Sequence, residues 1–236
     1  MTQSTEKVDT KVDIKEMLEA AVHYGHKTQK WNPKMKKFIF TTKNGIHIFD
    51  LEKTKANLEK ALDFVKRLSS SGKTILFVST KPQSAHLVIE AAEGCNMPYV
   101  IHKWMGGLLT NFTTIKQRIR YLKNLKDQEK NGEFEKYTKK EASELRKTIE
   151  KLESALGGVR DLDALPDAVF VVDALRDRIA VNEANKMKIP VVGIVDSNAN
   201  PDGVNYPIPG NDDAVKSLTY LIQKLKYGIL EGKGTR

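Results

Sequence analysis

One cysteine, Cys95, stands among 236 residues. A single thiol excludes a disulfide framework and a cysteine-built zinc site, and it suits a reducing compartment. No stretch of eighteen apolar residues occurs, which excludes a membrane-spanning helix. The first fifteen residues are polar and mixed in charge, without the apolar centre of a secretory signal. Asn111-Phe-Thr113 spells a glycosylation sequon, but a chain without that signal does not meet the glycosylating machinery.

A reactive centre is also missing. Ser71-Gly72-Lys73-Thr74 imitates the end of a phosphate-binding loop, but Arg67 stands where that loop needs its first glycine. The loop also needs a strand before it and a helix after it, and here the order is reversed. No Gly-x-Gly-x-x-Gly follows any predicted strand, so a dinucleotide has no phosphate cradle. Cys95 sits beside Gly94 with no local cations to lower its pKa, and no serine is paired with a base. An enzyme acting on a phosphorylated or nucleotide substrate is therefore the weaker reading, and no small-molecule substrate is expected.

What the chain has is positive charge in two places. The formal net charge is +9. Residues 27–43 hold six lysines and no acid, and residues 103–160 hold fourteen basic and eight acidic residues. The rest of the chain carries a net −3. Excess charge confined to two segments argues for a polyanion partner, nucleic acid above all, more than for general solubility. Lys27, Lys30, Lys34, Lys36 and Lys37 share one loop with Trp31, and Lys116, Arg118, Arg120, Lys123 and Lys126 follow one another with no acid before Asp127. Lys103, Lys139 and Lys140 complete the candidate RNA-binding set. The plainer reading of the second group is a solvated helix face, and that of Trp31 and Trp104 is core packing.

Periodicity predicts an α/β fold of the Rossmann-like (flavodoxin-like) kind, a parallel sheet flanked by helices. Short apolar runs at 74–79, 98–101, 168–172 and 191–195 alternate with helical segments, as buried parallel strands do. Residues 1–12 are expected to be loosely held, with a short helix from Asp13 to about Tyr24 and a basic loop over 23–37. Lys43-Asn44-Gly45 marks a hairpin, Asp50 an N-cap for a helix reaching Leu68, and Pro82 the start of a helix to about Glu93. Further helices are expected from Arg176 to Lys188 and from Asp212 to about Leu230. Within 104–160, Leu108, Phe112, Ile115, Ile119 and Leu122 face Ala142, Leu145, Ile149, Leu152 and Leu156 at coiled-coil spacing. Asn131-Gly132 breaks the segment, and Thr138 with Glu141 restarts it as a capping box. The expectation is an α/β body from residues 1–103 and 161–236, interrupted by an antiparallel coiled-coil arm at 104–160. Gly106-Gly107 and Gly157-Gly158 would serve as hinges or close-packing points.

Two candidate metal groups arise. Asp196 ends a predicted strand and Asp212-Asp213 opens a helix, so these acids converge at one end of the sheet. Helix capping is the plainer account, and a divalent cation held by Asp196 with Asp212 or Asp213, aided by Asn32 or His23, is the sharper one. His23 and His26 lie three apart with no cysteine nearby, which favours local hydrogen bonds over metal ligation. No cofactor is otherwise expected.

The runs His23-Tyr-Gly-His26, Trp31-Asn-Pro-Lys-Met35, Asn44-Gly-Ile-His-Ile48, Asp50-Leu-Glu-Lys-Thr54, Trp104-Met-Gly-Gly-Leu-Leu-Thr-Asn111, Thr138-Lys-Lys-Glu141 and Ile208-Pro-Gly-Asn-Asp-Asp-Ala214 resemble the bacterial form of the small-subunit ribosomal protein two family. The resemblance covers nearly the whole chain, in order. It implies a non-enzymatic, structural protein that holds small-subunit ribosomal RNA between head and body. It also implies neighbouring ribosomal proteins as partners, including the mobile protein one that delivers messenger RNA. The location implied is cytoplasmic and ribosome-bound, with an organellar ribosome left open. Ser197 replaces a common threonine, Met105 a common leucine, and the acidic C-terminal tail of some members is missing. A pure protein-docking scaffold, with the arm as spacer, is the third reading.

Overall fold

The computed structural model describes residues 10–234. Of the segment expected to be loosely held, residues 1–9 lie outside the described residues. Residues 10–12 overturn the expectation: Val12 is buried, Thr10 Oγ1 donates to Glu231, and Lys224 Nζ donates to the Lys11 carbonyl at 2.6 Å. An isolated valine among charges gives no periodicity to read, yet it closes the core here.

Helix α1, Ile14–Glu19, is capped by Asp13 and ends earlier than expected. Ala21 takes a left-handed φ of 61°, and the Val22 amide turns back to the Met17 carbonyl, the hydrogen bond that closes a helix. Most of the expected basic loop is regular. Its first part is strand β1, Tyr24–Lys27, and two 3-10 turns follow at Thr28–Lys30 and Pro33–Phe38. Gly25 concealed the strand, because glycine is a poor strand former. Its place is set by packing: a Cβ there would meet Ser197 Oγ at 2.8 Å.

Strands β2, Ile39–Lys43, and β3, Ile46–Phe49, form the expected hairpin. Asn44 and Gly45 have φ of 52° and 74°, as a two-residue type I′ turn requires. With β1 they make an antiparallel sheet ordered β1-β3-β2. Helix α2, Leu51–Ser70, starts at Asp50, whose carboxylate accepts from the Glu52 and Lys53 amides.

The main sheet has five parallel strands: β4 (Ile75–Val78), β5 (Tyr99–Val100), β6 (Ala168–Val171), β7 (Val191–Val195) and β8 (Tyr206–Pro209), in the order β5-β4-β6-β7-β8. Alternate residues enter two cores, which is why these strands read as unbroken apolar runs. Ile75, Phe77, Phe170, Val192 and Ile194 face α2, α3 (Ala85–Gly94) and α7 (Val215–Gly234). Leu76, Val78, Val169, Val171 and Val195 face the other side, with Met35, Phe38, Phe49, Trp104 and Leu108. Helix α6, Arg178–Lys186, packs there too. Helix α7 begins three residues later than expected, since Asn211 Oδ1 accepts the Asp213 and Ala214 amides and draws Asp212 inward.

Helices α4, Phe112–Lys130, and α5, Lys139–Leu156, lie between β5 and β6 in sequence. Gly132, at φ 74°, turns the chain, and both halves of the Thr138–Glu141 capping box are made. Arg146 meets Glu129 and Glu153 meets Lys126, so the partners run in opposite directions. Leu108 precedes α4 and joins Ile115, Ile119 and Leu156 in the body's core. Further out, Leu122, Leu125, Phe134, Ala142 and Ile149 form a separate small cluster.

Candidate nucleic-acid interface

The base of α4 is fixed by a carboxylate from another element. Glu183, on α6, accepts from Trp104 Nε1 at 3.0 Å, the Gly107 amide at 2.8 Å, the Leu109 amide at 3.1 Å, and the Thr110 amide and hydroxyl at 3.2 Å. Burial alone would push its pKa up, but the donors from Trp104, Gly107, Thr110 and Leu109 outweigh burial and hold the carboxyl below its usual value. Trp104 is thus a core residue with a satisfied indole. At the same end of the pair, just past the C-terminus of α5, a Cβ on Gly158 would fall 2.3 Å from the Tyr99 carbonyl oxygen and 2.5 Å from its ring. Gly158 is therefore a close-packing point against edge strand β5. A cleft of about 790 Å³ opens beside it, lined by residues such as Tyr99, Arg160 and Asp163.

The candidate RNA-binding side chains divide into two groups. Lys34 pairs with Asp202, Lys123 lies 3.4 Å from Asp161, and Lys126 lies 2.6 Å from Glu153. Lys116 donates to the Asp163 carbonyl at 2.7 Å. Lys27, Lys30, Lys36, Lys37, Lys103, Arg118, Arg120, Lys139 and Lys140 are all exposed, and none has a carboxylate within ion-pair distance among the described residues. Trp31 is half-exposed, with its ring 5.1 Å from that of His47. Charge that the protein does not neutralise is the kind a phosphate backbone can use.

The acids do converge at the carboxyl ends of the strands, but with partners the sequence concealed. Lys81, following β4, places Nζ 2.8 Å from Asp212, 2.6 Å from Asp213 and 3.6 Å from Asp173. His26, from β1, puts Nδ1 3.0 Å from Asp196 and Nε2 3.3 Å from Asp213. Burial, then Asp196 and Asp173, raise the Asp212 pKa to about 7 against the pull of Lys81. The hydrogen bond to Asp196, opposed by burial, raises that of His26. His26, Asp196 and Asp212 present ligand atoms within 4.8 Å of one another, a spacing that suits a metal ion. Asn32 lies next to the group, its amide donating to the Ser197 carbonyl at 2.7 Å, but its Oδ1 is taken up capping its own turn through the Lys34 amide, and His23 is not among these three. So His26, read as a local hydrogen-bonding residue, is the histidine of this group. Cys95 is buried, and burial pushes its thiol to about 11.

A parallel α/β body whose strand-end crevice is filled by its own ion pairs, and whose unneutralised cations sit on a peripheral turn and a long helix, belongs to the class of nucleic-acid-associated scaffold proteins. Comparison with known proteins gives the class a family. The model for "Ribosomal protein S2" matches residues 17–232. The chain is 49% identical over 223 residues to the small ribosomal subunit protein uS2 of Dictyoglomus thermophilum, covering 94% of this chain and 91% of that relative. The chain belongs to the ribosomal protein S2 family, in its bacterial form, and is a structural constituent of the small ribosomal subunit.

Proposed function

We propose that this protein holds small-subunit ribosomal RNA between head and body, on cytoplasmic ribosomes, and helps recruit small-subunit protein one. The two long helices at 104–160 act as an antiparallel coiled-coil arm inserted in the body, with α4, nineteen residues and about 28 Å long at 1.5 Å per residue, rooted in the body's core by Ile115 and Ile119. Lys27, Lys30, Lys36 and Lys37 on the first basic segment, with Arg118, Arg120, Lys139 and Lys140 on the arm, contact phosphates. The observation that carries the reading is that these cations are exposed with no carboxylate within ion-pair distance among the described residues. Phosphate contacts orient a protein on RNA without reading sequence.

The test measures association of the full chain with small subunits depleted of it, across a range of KCl concentrations. Replacing Lys30, Lys36 and Lys37 with alanine should weaken binding and flatten the slope of log affinity against log salt by about two to three units. An unchanged slope overturns the reading. A second reading is favoured by the donor set at His26, Asp196 and Asp212: a divalent cation there stiffens the join between the small and large sheets. Protein washed with chelator, returned to buffer with a divalent salt and desalted should retain stoichiometric metal. A fraction without metal removes that reading.

A further inference from the structure

We propose that the outer face of α6, together with the residue closing its C-terminus, is a third phosphate-binding surface for ribosomal RNA. This inference rests on the reading above and extends it to a region where charge counting along the sequence finds almost nothing. Residues 173–188 hold Arg176, Arg178, Lys186 and Lys188 against Asp173, Asp177 and Glu183, close to balance.

Folding separates the two signs. Asp173, Asp177 and Glu183 are all buried. Asp173 accepts from the Leu175 and Arg176 amides, and Asp177 from the Thr80 amide and hydroxyl. Glu183 is committed to the turn from Trp104 to Thr110. The four cations are exposed. Arg176 leans on Thr80 Oγ1 at 3.1 Å, while Arg178, Lys186 and Lys188 have no carboxylate within ion-pair distance among the described residues. Every carboxylate within residues 173–188 has been turned inward, and Asp202, in the neighbouring turn, pairs with Lys34.

Geometry makes the face continuous. At 100° per residue, exposed Arg178, Ile179, Asn182, Asn185 and Lys186 fall within about a third of the helix circumference, opposite buried Ala180 and Ala184. Arg178 and Lys186 stand at its two ends, about 12 Å apart along the axis. The same helix anchors the segment before α4 through the buried Glu183. Lys188 follows at φ 57°, a left-handed backbone that glycine or asparagine adopts more readily than lysine. Exposed cations without acids suit a phosphate backbone, whereas the core of a protein interface is depleted in charge.

Four full-length variants, three of them removing cations, test this by binding to depleted small subunits across KCl concentrations. Arg178→Ala with Lys186→Ala should flatten the salt slope by about 1.5–2 units. Lys188→Gly should flatten it by a little under one unit while raising the melting temperature by about 1–3 °C, because the backbone strain is relieved. That gain in stability separates a lost contact from a damaged fold. Slopes unchanged in both variants, with the Lys30, Lys36 and Lys37 variant still flattened, overturn this inference and leave the earlier reading standing. If none of the three flattens, both fall. Loss of assembly in Ile179→Asp, with unchanged slopes in the charge variants, would make the face a protein-docking surface and refute the RNA contact.

Discussion

Glu183 is the position where one substitution should uncouple arm from body. Its two oxygens receive five donors: Oε1 those of Trp104 and Gly107, Oε2 those of Leu109 and Thr110. Alanine strands these donors in a buried site, at about 1–3 kcal/mol for each one that finds no water. Not all will remain dry, so a total of about 3–5 kcal/mol is expected, the range for breaking a buried charged network. Glutamine is nearly as harmful, because its amide turns a donor toward one of the two donor sets. Urea denaturation measures the loss, and hydrogen exchange at the Gly107, Leu109 and Thr110 amides locates it. The folded pKa of Glu183 is depressed, so its stabilising share is present above the unfolded value of about 4.3 and vanishes as pH falls through the folded one. The gap between wild type and Glu183→Ala should therefore narrow in acid below about pH 4, leaving the share that a neutral carboxyl still supplies as acceptor. A penalty under about 1 kcal/mol at neutral pH, or a gap that persists unchanged in acid, refutes the account.

Gly158→Ala places a methyl against the backbone and ring of Tyr99, and should cost at least about 1–3 kcal/mol in urea denaturation. A neutral effect would show that β5 and the end of α5 are not locked together. Asp212 and His26 both bind protons more tightly folded than unfolded, so the stability they contribute is complete below their unfolded pKa values and is lost as pH rises through the folded ones. In metal-free buffer Asp212→Asn should remove the loss of stability that Asp212 contributes between about pH 4 and 7, whereas His23 and His47, whose pKa values burial lowers, oppose that loss equally in both proteins. Identical pH dependence of the melting temperature in the two proteins would contradict the assignment.

Local signals were legible where the physics is local. Asn44-Gly45 demanded a turn with two positive φ angles, and Thr138 with Glu141 completes its box within one helical turn. The buried strands stood out because both faces of the sheet are covered, leaving no polar alternation to dilute the signal. Glu183 was illegible: in sequence it is one acid on a charged helix, and its partner at Gly107 lies 76 residues away. His26 does make hydrogen bonds, but its partner Asp196 lies far off in sequence and reaches it only after β1 docks beside the large sheet. The expected heptad seam correctly picked Leu122 and Ile149 but missed Leu125 and Phe134, because the turn after Gly132 folds Phe134 back into the cluster. The position of the basic segment is plain in the sequence, but which of its lysines pair internally depends on Asp202, distant in sequence and adjacent in space to Lys34.

The strand order reverses between β4 and β6, and in open parallel sheets the crevice at that reversal is where ligands bind. In this chain the groups that would greet a nucleotide are turned on one another. Thr80 serves Asp177 and receives Arg176, while Lys81 sits buried among Asp173, Asp212 and Asp213. A phosphate entering there would have to displace carboxylates from Lys81, trading attraction that already exists for repulsion from the acids left behind. Under α6 the buried Asp173, Asp177 and Glu183 leave Arg178, Lys186 and Lys188 exposed with no carboxylate within ion-pair distance among the described residues. A fold shared with ligand-binding proteins here commits its strand-end crevice to internal ion pairs and keeps other cations on its surface.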